Sequence, residues 1–454
     1  MTADLSRLVR SRSVLQRSWG VVRTSGLSSL SEETQRKTKE FDANSLNNIE
    51  RIIKKLRSGK FRFSNEIGVA PRKSSGKPGR RPLVVAPIEN RVVRRAILEV
   101  LQGYEVTPPN HRNKWNGVDA VRRIMETPTS VGGVIDRGVP YGLSLINAAV
   151  RSGHHWFIRS DIRDFFTRIP LQQVNDFICA AVQDRTFCDL FSQALETNLT
   201  NKAELEERKH FTLFPTNGIG VAQGSALSAL AGNIVLHDFD VEMNGRGIVC
   251  VRYIDDFILL GKSQKNVAAA FASAQLRLGR LGMKVYDIVD EAARRAGKVD
   301  SGNIHNGTDV LGYRVSAGSL QPSAKAKRAL LEKLDCIVTD ARRAMIEAAA
   351  GRAHSHARLY HHALTLIHRT VWGWSQSFKY ATVPHALQSL DAQIDERICL
   401  LENVAYQLTR SASPQVKRRV KGIHLLQDIY AYPLPELEGS TPDESQQVGR
   451  INAA

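Results

Sequence analysis

Two adjacent carboxylates, Asp255 and Asp256, stand between the apolar runs Val249-Cys250-Val251-Arg252-Tyr253 and Phe257-Ile258-Leu259-Leu260. The β-branched and aromatic residues on either side read as a β-hairpin with the acids at its turn. Neighbouring aspartates in an apolar setting repel each other, and burying them is costly without a cation to share. A pair of Mg²⁺ ions would supply that cation, and phosphoryl transfer uses such a pair to hold the attacking and leaving oxygens. The same residues also suit a plain hairpin whose polar turn faces water, so the rest of the chain has to distinguish the two.

A second acid-bearing run is His155-Trp156-Phe157-Ile158-Arg159-Ser160-Asp161-Ile162-Arg163-Asp164-Phe165-Phe166. An apolar strand ends at Asp161, and an aromatic pair leads through a turn toward a helix around 174–182. Asp161 lies far before Asp255 in the chain, so a shared site requires two strands to pair at long range. Asp164 reads as an acid at a helix entrance, where the dipole favours negative charge, or as a further ligand. Between these runs lies Asn217-Gly218-Ile219-Gly220-Val221-Ala222-Gln223-Gly224-Ser225, leading into a helix of small residues through Asn233. Such a stretch lets a nucleotide or template base approach the backbone, although small-residue helices also pack tightly in cores. Packing explains Gln223-Gly224-Ser225 least well.

Other elements would position these groups. The basic, Gly/Pro-punctuated loop from Pro71 to Pro87 enters a strand, and its amides together with Lys77 and Arg81 could hold a triphosphate. Arg72 and Lys73 suit a flexible linker better. The helix beginning at Asn90 carries Arg91, Arg94 and Arg95, a face that could lie along a phosphate backbone. Leu46, Ile49, Ile52, Ile53 and Leu56 form one apolar stripe on an earlier helix. No fixed-period repeat suggests a solenoid.

A formal net charge of +18 and a pI near 9.8, spread along 454 residues, favour a polyanionic partner, nucleic acid above all. That length suits two or three domains, and the 42% apolar content is ordinary for a globular chain. No apolar run is long enough to span a membrane, and no secretory signal is read at the N-terminus. Five scattered cysteines without a CxxC pair argue against zinc and fit reduced thiols in a cytoplasm. The clustered histidines at 354–362 are assigned no metal.

Taken in order, these blocks resemble a reverse transcriptase, most closely the bacterial type related to group II intron proteins. The likeness runs from about Arg81 to about Tyr380. Tyr253-Ile254-Asp255-Asp256 resembles the YxDD box, and the run at Asp161 resembles the first metal-binding motif. Gln223 through Asn233 is similar to the template and nucleotide motif, Arg81-Pro82-Leu83 to the fingers motif, and Leu311-Gly312-Tyr313 to the primer-grip hairpin. Trp372-Gly373-Trp374 is similar to the Gly-Trp-containing thumb segment, its aromatics read as core rather than as base-stacking surfaces.

The resemblance implies an α+β, right-hand polymerase fold. A helical extension (1–44) would precede fingers (45–155), a palm with an antiparallel sheet (156–320) and a helical thumb (321–410), with a partly disordered C-terminal extension (411–454). It also implies roles. Asp161, Asp255 and Asp256, with the Ile162 carbonyl, would bind two Mg²⁺, with Mn²⁺ as the alternative ion. Phe166 would crowd the sugar 2′ position, Arg81 and Lys77 would hold phosphates, and Gln223 would line the nucleotide pocket. Tyr253, Gly224, Leu311, Gly312 and Tyr313 would sit along primer and template. Lys298 is the nearest candidate for the proton donor to pyrophosphate.

Ala222 and Ala229 depart from the family pattern, which carries prolines there, and Asn147-Ala148-Ala149-Val150-Arg151 lacks the histidine of the retron pattern. No RNase H acids or Cys/His endonuclease segment are seen. The expectation is therefore a domesticated or defence-associated enzyme working in the cytoplasm with dNTPs, a noncoding RNA template and a DNA product, with a homo-oligomer and a monomer both left open. An RNA-dependent RNA polymerase and a non-catalytic RNA-binding scaffold are the competing readings.

Overall fold

The computed structural model describes residues 4–29, 31–72, 79–105, 114–216, 218–245, 247–352 and 355–426. Chain packing divides it into two compact units, Met1–Ala326 with Tyr380–Val383, and Lys327–Lys379 with Pro384–Ala454. Lys77 and the end of the expected C-terminal extension lie outside the described residues.

The first unit opens with α1 (Leu5–Val9), α2 (Arg12–Leu27), α3 (Glu32–Ala43) and α4 (Ser45–Arg57). Ser11 and Ser31 start α2 and α3 by accepting backbone N–H bonds from Val14 and Thr34. Next come the hairpin strands β1 (Ile67–Val69) and β2 (Leu83–Val85), then α5 (Ile88–Gln102). Leu15, Trp19 and Val22 of α2 join Val92, Val93, Ala96, Ile97, Val100 and Leu101 of α5 in one core. The apolar stripe of α4 buries Ile49, Ile52 and Ile53, whereas Leu46 is 64% exposed. A stripe predicts which face packs, not how far along the helix the neighbours reach.

The basic face of α5 is turned to other use than a phosphate backbone. Arg94 is buried, ion-paired with buried Glu66, and donates Nε to the Ala194 carbonyl (2.7 Å) and Nη2 to the Glu196 carbonyl (3.0 Å). Arg95 pairs with Glu99 one helical turn on (2.9 Å). Enclosure leaves Arg94 no water, so it finds partners inside the chain, whereas Arg91 and Arg95 are only partly buried.

A short ladder of β3 (Tyr104–Glu105) and β4 (Lys114–Trp115) leads to α6 (Asp119–Met125) and α7 (Val139–Arg151). The main sheet is then assembled from β5 (Trp156–Arg163), β6 (Val249–Tyr253), β7 (Asp256–Gly261), β8 (Lys284–Val285) and β9 (Val299–Asn303). Its order is β6-β7-β5, with β8 and β9 both pairing on β5, and every ladder is antiparallel. Between β5 and β6 run α8 (Phe165–Arg168), α9 (Leu171–Val182), α10 (Arg185–Leu195), α11 (Lys202–Glu207) and α12 (Ser228–Met243). After β7 come α13 (Gln264–Arg280) and α14 (Glu291–Arg295), the former capped by Ser263 and the latter by Asp290.

Ile158, Ile162, Cys250, Phe257 and Leu259 face the core shared with α12 and α13, where Phe239 and Phe257 meet edge-on at 5.4 Å. Helix α7 packs against β6 and β7. With helices against it, the sheet's strands are near-continuous apolar runs rather than alternating ones. A separate three-stranded sheet, β10 (Thr308–Val310), β11 (Tyr313–Ser316) and β12 (Ser319–Pro322), closes the unit. The whole is α+β, as a right-hand polymerase requires.

The second unit comprises α15 (Ala324–Ala349), α16 (Tyr360–Ser377), α17 (Pro384–Thr409) and α18 (Pro414–Lys421) around a core of Leu334, Val338, Met345, Ile367 and Leu401. Trp374 packs on Phe378 (4.4 Å), but Trp372, expected in the core, is 60% exposed. Two residues apart on a helix lie on opposite sides, so the face that buries Ala363, Ile367 and Trp374 turns Trp372 outward. Among the described residues, no helix is long and apolar enough to cross a membrane.

Candidate active site

The acids meet through the register of β5 and β7. Ile158 pairs with Leu259, Ser160 with Phe257, and Asp161 with Asp256. The Ile162 N–H donates to the Asp255 carbonyl at 2.8 Å, fixing the hairpin turn against the end of β5. Both strands are buried on successive residues, so the register is held by the backbone ladder and by the Ile162–Asp255 bond rather than by alternation of apolar side chains. Tyr253 pairs with Asp256, leaving Ile254 and Asp255 as a two-residue turn with Ile254 at φ 59°.

Cations already stand among these carboxylates. The Asp161 N–H donates to the Lys298 carbonyl (3.1 Å), and the Lys298 ammonium forms an ion pair with Asp161. Buried Arg159 lies 3.5 Å from Asp256 and donates Nη2 to the Gly297 carbonyl at 2.8 Å. Two positive charges lie near the ring of Tyr286, with the Arg163 guanidinium 4.3 Å and the Lys298 ammonium 5.7 Å from its centre. Burial pushes the Tyr286 phenol above its ordinary value, against the opposing pull of Arg163. Sequence reasoning missed Arg159 and Tyr286. Tyr286 follows a two-residue strand, too short for any periodic signal.

The remaining candidates separate into groups. Phe166 is half-buried beside buried Phe165 (5.3 Å), and its carbonyl accepts from the Val221 N–H at 2.7 Å. The Gln223 carbonyl accepts from Val84 of β2 (3.1 Å), so this segment ties the β1–β2 hairpin to α8. Gly224 is exposed at φ 105°, a conformation that L side chains rarely adopt. Arg81 is exposed, its N–H bonded to the Pro71 carbonyl (2.9 Å). Asp164 sits at φ 49° before α8 and makes no side-chain cap there. Leu311 and Gly312 form the β10–β11 turn and Tyr313 opens β11, in a sheet separate from the acid-bearing one; Tyr313 is buried, and Leu311 lies against Gly142 of α7.

With that geometry in place, the match to known proteins is specific. Residues 71–287 match the family described as reverse transcriptase (RNA-dependent DNA polymerase). The matching segment contains all three acids and the Gln223-Gly224-Ser225 loop, and it ends just after Tyr286. The chain is also 26% identical over 200 residues to an uncharacterized 91 kDa protein in the cob intron of Schizosaccharomyces pombe. This match covers 44% of the chain and only 21% of that relative's length. Among solved structures, a partial Cas6-RT-Cas1–Cas2 complex aligns with 61% of this chain and 43% of its own, at 18% identity and a TM-score of 0.32. Apo telomerase from Candida tropicalis, truncated of its C-terminal domain, aligns with 57% of this chain and 55% of its own, at 12% identity and a TM-score of 0.35.

Reverse transcriptases generally use divalent metal ions, and the donor chemistry here fits one. Three carboxylates and a backbone carbonyl at neighbouring strand ends are hard oxygen ligands of the kind Mg²⁺ and Mn²⁺ prefer. Among the described residues, no three His, Cys, Asp or Glu side chains are gathered tightly enough to hold an ion as they stand. Lys298 on Asp161 and Arg159 near Asp256 are consistent with that arrangement.

Proposed function

We propose that this protein is an RNA-directed DNA polymerase that extends a primer with dNTPs by two-metal phosphoryl transfer. The observation that carries the reading is the pairing of Asp161 with Asp256, beside the Ile254–Asp255 turn, inside the segment that matches reverse transcriptases. In this reading Asp161, Asp255, Asp256 and the Ile162 carbonyl hold two Mg²⁺. Bound there, the ions supply the charge that makes the primer 3′-oxygen nucleophilic and lets pyrophosphate leave.

The chain's own groups do the rest. Arg81 and Lys77 hold the triphosphate, Gln223 lines the nucleotide pocket, and Phe166 rejects a ribose 2′-hydroxyl by sterics. Lys298, beside Asp161, gives the proton to the leaving pyrophosphate. Tyr253 and Gly224 face the primer end and template, with Leu311, Gly312 and Tyr313 gripping the primer strand. The fingers, palm and thumb follow the boundaries 45–155, 156–320 and 321–410. The charge of +18 suits an RNA template and a DNA product. We further assign the enzyme to the bacterial, intron-related type, working in the cytoplasm on a dedicated noncoding RNA in antiviral defence.

Primer extension on an RNA template with Mg²⁺ tests the core of this reading. Incorporation of dNTPs that disappears in Asp255→Ala/Asp256→Ala is the expected result. Extension with rNTPs alone would make it an RNA polymerase, and full biological function of the double variant would make it an RNA-binding scaffold. Sequencing the nucleic acid that copurifies with the protein, with and without dNTPs, identifies template, primer and product.

A further inference from the structure

The turn that carries Asp255 is held from beneath by one side chain. Ile254 opens it at φ 59°, where a β-branched residue meets steric resistance and persists only if its surroundings over-determine it. Those surroundings converge on Arg252, which is fully buried. Its guanidinium donates Nε to Asp240 Oδ1 (2.7 Å) and Nη2 to Asp240 Oδ2 (2.6 Å), a two-pronged grip on α12. Nη2 also donates to Ser130 Oγ (2.8 Å) and Asn233 Oδ1 (3.1 Å), while Nη1 donates to the Ile254 carbonyl at 2.9 Å.

The main chain of the same residue is gripped as well. Its N–H donates to the Thr129 carbonyl (2.9 Å), and its carbonyl accepts from the Val131 N–H (2.9 Å). Asn233 donates to the Gly132 carbonyl (3.0 Å). Gly132 lies so near the turn that a Cβ there would stand 2.5 Å from the Ile254 nitrogen. The segment 129–132, α12 and the turn therefore meet at one guanidinium.

Stability is a poor reason for this arrangement, because apolar residues of similar volume commonly replace a buried ion pair without loss. Accepting the polymerase reading of the site, we propose that Arg252 is a positioning residue: its fork on Asp240 and its bond to the Ile254 carbonyl fix where the turn presents Asp255. Lysine cannot substitute, since a single ammonium does not reproduce the planar fork.

The decisive variant removes both charges, Arg252→Met with Asp240→Leu, so that no buried charge is left unpaired. Thermal melting reports the fold, single-nucleotide extension reports kcat and KM, and hydrogen exchange at the Ile162 amide reports the turn. That amide donates to the Asp255 carbonyl, so it loses protection if the turn shifts. The expected result is a cooperative melt, faster Ile162 exchange, and a kcat lower by on the order of 100-fold with KM for dNTP little changed. A folded double variant with kcat within about threefold of the parent, or with unchanged Ile162 exchange, overturns the proposal. Should the double variant not fold, Arg252→Lys decides by the same readouts. A parent protein that extends no primer would sink the polymerase reading instead, and the exchange comparison would still judge the positioning claim.

Discussion

The β6–β7 and β10–β11 hairpins of the first unit each turn in two residues, and they are held in different ways. In β10–β11, Leu311 and Gly312 both take positive φ (53° and 85°) between the paired Val310 and Tyr313. That matches the primed turn whose twist suits a hairpin, and glycine adopts its half without steric cost. In β6–β7, only Ile254 takes positive φ, and a β-branched residue is poorly suited to it. The first turn places glycine at one of its two left-handed positions; the second has no glycine and is enclosed by the Arg252 network. Strain of about 1–3 kcal/mol is tolerated where the surroundings enforce it, and such sites gather where function is.

The sharpest way to separate the hairpins is to remove their chemistry. Asp255→Asn should lower the polymerase kcat by on the order of 1000-fold while leaving the melting curve near that of the parent. A comparable loss of activity from Leu311→Ala would erase the distinction. Next in size, Arg252→Met alone leaves Asp240 buried without its cation and should cost about 3–5 kcal/mol in denaturant unfolding. Glycine substitutions then invert the comparison. Ile254→Gly should leave stability within about 1 kcal/mol, because relieved strain offsets added chain entropy, yet it should slow extension. Gly312→Ala should cost about 1–2 kcal/mol through left-handed strain; an unchanged unfolding midpoint would refute the primed-turn description.

The smallest effect is one of pH. Burial raises the Tyr313 phenol above its ordinary 10.0, opposed by its bond with the Tyr380 backbone. The folded state therefore holds that proton more tightly than the unfolded chain. Its stabilisation is complete below pH 10.0 and is lost as the pH rises through the raised value. Tyr313→Phe should flatten the alkaline decline in unfolding free energy above pH 10.0. An equally steep decline in the variant would assign the effect to other groups.

Much of the sheet was legible because local pattern and long-range packing agree there. The apolar runs around Asp161 and Asp255 could satisfy their backbones only as buried strands, and once paired they set Asp161 opposite Asp256. Charge was harder to read. Arg94 belongs to a basic run that looks like a phosphate track, yet its helix is enclosed and its guanidinium turns to Glu66. Lys298 and Tyr286 reach the acids through short strands whose placement depends on β5, not on their own composition. Trp372 illustrates the converse: aromatic type suggests a core, but helical phase decides.

Lys298 beside Asp161 and Arg159 beside Asp256 carry one last consequence. The mutual repulsion of the acids is countered by positive charge from the same chain, so folding does not have to wait for an ion. Under the proposed function, binding a divalent ion would amount to an exchange of partners, with internal cations giving way to mobile ones. A protein built this way should keep its melting temperature in chelator and need only the added metal salt to begin work.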